Sequence, residues 1–208
     1  MKRITPGEGQ KSFPSLFLIL SLFLLASAIA FGQIPFQGLA QGAEKEKLSR
    51  FDRLAEEATL LNKRGQADKV VSLLEPLKDN PKNDSALFFN ELGVAYRQQG
   101  RLSESIQAYQ SALSRSSENP VIMKNLGDAF VRNREYPRAI EQYRKILQTN
   151  PRFHQAHFGL GVAYYQAQKY AEALEQFELV LRLNPKDEPA QKFRDATLKK
   201  IGGKPDKR

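Results

Sequence analysis

An all-α fold of repeated helix pairs is what this sequence predicts, on three observations. From about Ser49 almost to the C-terminus, apolar residues recur at helical spacing and no stretch alternates with a period of two. The dipeptide Leu-Gly returns at Leu92-Gly93, Leu126-Gly127 and Leu160-Gly161, each time after 34 residues. Pro151 and Pro185 are separated by that same interval of 34. With 208 residues, 41% of them apolar and 26% charged, the chain has the composition of a protein with a packed core rather than of a disordered one.

The N-terminal segment stands apart from the repeats. Lys2, Arg3 and Lys11, against a single Glu8, precede the dense apolar run SLFLILSLFLLASAIAF at positions 15–31. A cationic start, an apolar block and small residues after it make an export signal, and Ala26-Ser27-Ala28 or Ala28-Ile29-Ala30 supplies the cleavage triplet, best after Ala30. Residues 15–34 also make a stretch of 20, long enough at about 1.5 Å per residue to cross a hydrocarbon core of about 30 Å. Residues 1–30 are therefore either a cleaved signal peptide or a retained N-terminal membrane anchor. A buried core helix fits poorly, because the run is apolar on every face. Both readings put everything beyond residue 35 across the membrane, so the expected location is the cell envelope: exported, periplasmic or otherwise extracytoplasmic. The Gln-, Gly- and Ala-rich stretch QIPFQGLAQGAEKEK, residues 33–47, falls in a linker spanning 31–48.

Composition narrows the chemistry. Without cysteine there is no disulfide framework, thiol nucleophile, cysteine zinc site or lipid-modified cysteine. The net charge of +9 suggests a polyanion partner until its location is considered: residues 192–208 carry +5 of it and residues 31–191 only +2. A nearly balanced body with a basic tail, residues 202–208 at its end, reads as a solvated terminus, and export argues further against nucleic acid.

Other positions keep the 34-residue period too. Twelve residues beyond each glycine stands a small side chain, Ser105, Ala139 or Ala173, and four further on an aromatic one, Tyr109, Tyr143 or Phe177. Three residues after each glycine is Tyr96, Phe130 or Tyr164. Read physically, each glycine sits on a first helix where a second helix crosses it. The absent side chain then lets the two backbones approach, which offsets the roughly 1 kcal/mol that glycine costs in a helix.

Leu-Gly, an aromatic, a small residue, a second aromatic and a closing proline together resemble the tetratricopeptide repeat. That resemblance implies a right-handed α-solenoid of about four helix-turn-helix units over residues 49–201. Clear units lie at about 86–119, 120–153 and 154–187, a degenerate one at about 51–85, and a capping helix at 188–201. In the degenerate unit Leu54, Ala58, Leu61, Val70, Leu74 and Leu77 take the buried positions, and in the cap Ala190, Phe193, Ala196, Thr197, Leu198 and Ile201 face inward. Where Ala112 has Ile146 and Val180 as counterparts, packing is expected to be looser. Pro120 arrives three residues later than the family's proline, which implies a longer turn before it.

Catalytic signatures are missing. His154 and His157 are three apart but lack a third ligand, and His157 occupies the repeat's bulky position before Leu-Gly. Gly159-Leu160-Gly161 has Tyr164 where a dinucleotide loop needs its third glycine. Glu172, Glu175 and Glu178 lie near Lys169 and Arg182 as on a solvated face. No enzyme activity, metal, cofactor or small-molecule substrate is expected. The resemblance implies instead that first helices line a concave groove for another protein or peptide. Carried over position by position, the groove comprises Asn90, Val94 and Arg97, then Lys124, Asn125, Asp128 and Arg132, then Gln155, Phe158, Val162 and Tyr165. Asn125 ranks first, since its amide both donates and accepts. Chaperone-binding members clamp a C-terminal carboxylate; here only Asn125 falls in that register, while Val94, Gln155 and Gly159 replace the polar or cationic groups a clamp needs. The expected function is a protein-interaction scaffold or adaptor in a bacterial cell envelope. The alternative is an accessory subunit of an envelope enzyme or of a pilus, secretion or cytochrome-maturation system.

Overall fold

The chain divides into two units, Met1–Leu48 and Ser49–Arg208, and the computed structural model describes residues 49–202. The apolar run, the linker and the tail beyond residue 202 lie outside the described residues, and with them the signal-or-anchor reading. Among the described residues no helix is long and apolar enough to cross a membrane.

The described residues form an all-α solenoid. Helix α1 (Arg50–Lys63) starts where Ser49 Oγ accepts the Asp52 amide at 3.1 Å, the usual remedy for an orphan N–H at a helix start. Helix α2 (Ala67–Leu74) is short and tightens into a 3₁₀ turn (Glu75–Leu77) around Pro76, which has no amide proton to continue the ladder. Then come α3 (Ala86–Gln98), α4 (Leu102–Leu113), α5 (Pro120–Arg132), α6 (Tyr136–Thr149), α7 (His154–Gln166), α8 (Tyr170–Leu183) and α9 (Glu188–Ile201). Each helix packs on the next in sequence, and the first helices of adjacent pairs touch: α1 on α3, α3 on α5, α5 on α7. The turn before Pro120 runs from Ser114 to Asn119, two residues longer than the turns 150–153 and 184–187, as the late proline implied.

Inside each pair, the turn between helices needs one residue in the left-handed region. Gly100 (φ 77°), Arg134 (φ 63°) and Gln168 (φ 61°) hold that place at 34-residue intervals, and Gly65 (φ 70°) does so in the degenerate unit. Only glycine adopts this geometry without steric cost, so the later two turns are held in place by the packing around them.

The periodic glycines do more than admit a neighbouring backbone. A Cβ on Gly93 would fall 2.7 Å from the Tyr109 ring, one on Gly127 2.8 Å from Tyr143, and one on Gly161 2.7 Å from Phe177. In every clear pair, then, the aromatic sixteen residues on lies against the bare glycine, and is itself almost wholly buried. The position at plus twelve completes the crossing: Ser105, fully buried, donates its hydroxyl to the Gly93 carbonyl at 2.8 Å. Tyr143 is held on two sides, since a Cβ on Gly159 of the following unit would come within 2.5 Å of its ring.

Ile146 and Val180, like Ala112, are wholly buried. One packing expectation is corrected. Ile201 is 49% exposed rather than inward, being the last residue of α9, where Gly202 (φ 84°) turns the chain away. The other cap residues are buried or half-buried, and Phe193 stacks on Phe177 at 5.3 Å. In the degenerate unit Ala58, Val70 and Leu74 are fully buried, while Leu54, Leu61 and Leu77 are partly so. Phe51 completes that core, edge-on to Phe88 at 5.9 Å.

Replacing Gly159 with alanine tests the second grip on Tyr143. Alanine gains about 1 kcal/mol of helix propensity, yet its methyl must displace a buried ring, at a cost of about 1–3 kcal/mol. Urea unfolding should show a net loss of stability; a gain of about 1 kcal/mol would mean that the ring yields freely.

Candidate functional site

Helices α3, α5 and α7 present matching positions side by side: Asn90, Lys124 and Phe158 at one level, Val94, Asp128 and Val162 a turn later, then Arg97, Val131 and Tyr165. Two open pockets lie along this face. One, of about 260 Å³, is lined by Lys124, Asp128, His154, Gln155, Phe158, Gly159, Asp187 and Pro189. The other, of about 220 Å³, is lined by Arg97, Asp128, Val131, Arg132, Tyr143, Phe158, Gly159 and Val162. They share Asp128, Phe158 and Gly159, so they form one continuous groove.

Seven of the expected groove residues, Arg97, Lys124, Asp128, Arg132, Gln155, Phe158 and Val162, line this groove. Asn90 and Asn125 lie at its side and are engaged with each other: Asn125 Nδ2 donates to Asn90 Oδ1 at 3.0 Å. Asn90 Nδ2 in turn donates to the buried Glu91 carboxylate at 3.0 Å, whose other oxygen accepts from Asn62 Nδ2 at 2.8 Å. This ladder ties α1, α3 and α5 together, and among the described residues it leaves Asn125 Oδ1 without a donor. Tyr165 lines neither pocket; its ring stands edge-on to Tyr170 and Phe193.

Asp128 is the groove's fixed charge. Tyr143 donates its hydroxyl to Oδ1 at 2.6 Å, and Lys124, one turn back on the same helix, sits 2.7 Å from Oδ2. Burial, and then the neighbouring Asp128 carboxylate, push the Tyr143 phenol far above its ordinary pKa, so it remains a donor across the physiological range. Arg97 Nε is buried without an acceptor, and so is the Tyr109 hydroxyl. The guanidinium lies close enough to Tyr109 for its charge to oppose the upward pKa shift that burial causes there. Arg132 is exposed.

Both histidines are engaged within the fold. His157 Nε2 donates to the Pro151 carbonyl at 2.9 Å while Nδ1 meets Gln176 at 2.9 Å, and His154 Nε2 lies 3.0 Å from Asp187. Among the described residues no group of three or more His, Cys, Asp or Glu is placed to hold a metal ion.

This arrangement of paired helices agrees with the comparisons with known proteins. Residues 93–134 match the TPR repeat family and residues 124–188 the tetratricopeptide repeat family. The chain carries tetratricopeptide repeats over residues 93–188. No curated protein matches it significantly. Among solved structures, this tetratricopeptide-repeat chain is similar to the first TPR of Spaghetti (RPAP3), bound to the HSP90 peptide SRMEEVD. The two are 25% identical with a TM-score of 0.55, over 59% of this chain and 97% of that one. A tetratricopeptide repeat protein from Parabacteroides merdae is 26% identical with a TM-score of 0.59, over 73% of this chain and 60% of that one. MamA of MSR-1, at 22% identity and a TM-score of 0.63 over 74% of this chain and 87% of that one, shares the fold.

Sequence reasoning passed over Gly159, His154, Asp187 and Val131 as groove walls. Gly159 matches the position of Glu91 and Asn125, so a small residue where the other units are polar was the available signal. Asp187 caps α9 by accepting the Ala190 amide at 2.9 Å. Although burial works against it, that amide and then His154 hold its carboxylate below the usual aspartate range. A depressed carboxylate contributes stability that is present above its unfolded pKa of about 3.9 and lost as pH falls through the lower folded value. Asp187→Ala should therefore cost about 1 kcal/mol at pH 7, and the gap to the native protein should narrow as pH drops below about 3.9. Urea unfolding at both ends of that range checks it; a gap that stayed constant with pH would contradict it.

Proposed function

We propose that this protein is an interaction scaffold whose groove along α3, α5 and α7 holds an extended peptide or a helix of another protein. The observation that carries this is one open groove lined by side chains that the fold leaves without partners. Among the described residues Arg97 and Arg132 have no ion pair, Phe158 is only half-buried between two pockets, and Asn125, with no donor to its carbonyl, stands at the groove's side. Unsatisfied polar groups beside apolar surface suit a ligand with a backbone and side chains, and they lack the nucleophile, base and orienting partner of a catalytic site. The peptide bound to the RPAP3 domain supports the same use of the fold.

We further propose that it works in the cell envelope, as an adaptor for protein assembly there. The cationic start and the apolar run at 15–34 support this placement.

A photoreactive amino acid introduced at exposed Gln155, in the groove, and separately at exposed Glu175, on α8, tests the binding reading in living cells. A discrete adduct from Gln155 and none from Glu175 is expected; adducts from Glu175 alone would contradict the groove. Membrane-associated protein with Met1 intact, or an exported chain starting at Phe31, fits the envelope placement. Soluble cytosolic protein that keeps Met1 would overturn it.

A further inference from the structure

The charges along the groove are unevenly partnered. Lys124 is paired with Asp128 and His154 with Asp187. Among the described residues Arg97 and Arg132 have no ion pair, yet both residues line one pocket. That pocket's single carboxylate, Asp128, already has one oxygen on Tyr143 and the other on Lys124. Arg97 Nε–H is buried with nothing to accept it, and a guanidinium without a carboxylate partner is a cation that a ligand's carboxylate can pair. The rest of the wall is apolar: Val131, Phe158 and Val162. Apolar surface also extends toward α3. Leu87 and Val121 stand where Gln155 stands in its own unit, and they are 39% and 54% exposed.

We propose that this pocket receives a glutamate or aspartate side chain from within an extended partner peptide, its carboxylate set between Arg97 and Arg132 and apolar residues flanking it along the groove. The proposal rests on the groove reading given under Proposed function and adds the chemistry of the occupant. Guanidinium groups bind carboxylates through charge-assisted hydrogen bonds, and the two unpaired cations supply the complementary charge. An internal carboxylate fits better than a terminal one because the groove continues past the pocket on the side of Gln155, leaving room for the peptide to run on. The clamp positions that would hold a chain end are taken by Val94, Gln155 and Gly159. A phosphate would bring a second negative charge toward Asp128. Packed helix axes lie about 8–10 Å apart and an extended chain advances about 3.3 Å per residue, so side chains roughly three residues from the acid reach the neighbouring helices.

The test uses the full-length protein in detergent and fluorescence anisotropy of labelled nine-residue peptides. Position 5 is glutamate, glutamine or phosphoserine, positions 2 and 8 are varied among apolar residues, and the C-terminus is amidated or free. Glutamate peptides with amidated ends should bind at least about tenfold more tightly than their glutamine partners, with affinity falling as salt rises. That preference should vanish in the variant carrying Arg97→Met and Arg132→Gln. Because the glutamate-to-glutamine comparison leaves the protein untouched, it stands even where the variant melts early. Equal binding of glutamate and glutamine peptides, with the peptide crosslinking to a photoreactive residue at position 155, overturns the carboxylate proposal and leaves the groove reading standing. Dependence on a free C-terminus, or tighter binding of phosphoserine, overturns it in favour of those ligands. Absence of any binding, or binding without crosslinking at position 155, overturns both readings.

Discussion

An aromatic ring pressed against a bare glycine is the contact on which each clear helix pair depends. Tyr109 on Gly93, Tyr143 on Gly127 and Phe177 on Gly161 repeat one geometry, and in each a single methyl group would intrude to within 3 Å of the ring. Ring and glycine are sixteen residues apart, so every contact fixes how a second helix lies on its first. Buried aromatics remove large apolar areas from water, and a site that tolerates no added volume sets a unique distance between helices.

Stability and site are joined at the middle pair. Directly after the glycines stand Val94, Asp128 and Val162, in the units whose rings are Tyr109, Tyr143 and Phe177. Only the middle combination sets a phenol against a carboxylate, and there the hydroxyl binds Asp128. The ring that wedges α5, α6 and α7 together therefore also aims the groove's fixed negative charge. Tyr109 has the same hydroxyl, but its unit carries Val94 at the position of Asp128, and its oxygen stays unsatisfied. The polarity of the groove thus follows from small departures from the repeat and not from the repeat itself.

This division explains what the sequence made legible. Periodic glycines, small residues and aromatics gave the helix pairs, since each answers to a constraint that recurs in every unit. The late Pro120 foretold the longer turn. Contacts made once were hidden: Gly159 serves the ring of the preceding unit, and the Asn62, Glu91, Asn90 and Asn125 ladder crosses three first helices without recurring in the later units. Arg134 and Gln168 gave no sign of a left-handed backbone, because a composition cue exists only where glycine stands, as at Gly65 and Gly100. Groove residues were recoverable by register, but which of them are already hydrogen-bonded, as Asn90 and Asn125 are, depends on side-chain geometry that register does not carry.

The central claim is that glycine is required because a ring needs its space, and a double-mutant cycle on Gly127 and Tyr143 addresses it directly. With Tyr143 present, Gly127→Ala should destabilise the protein; with Tyr143→Leu already in place, the same alanine should stabilise it, by up to about 1 kcal/mol from helix propensity alone. An alanine effect of the same sign and size in both backgrounds would show that glycine and ring are independent, and the account of the fold would be wrong.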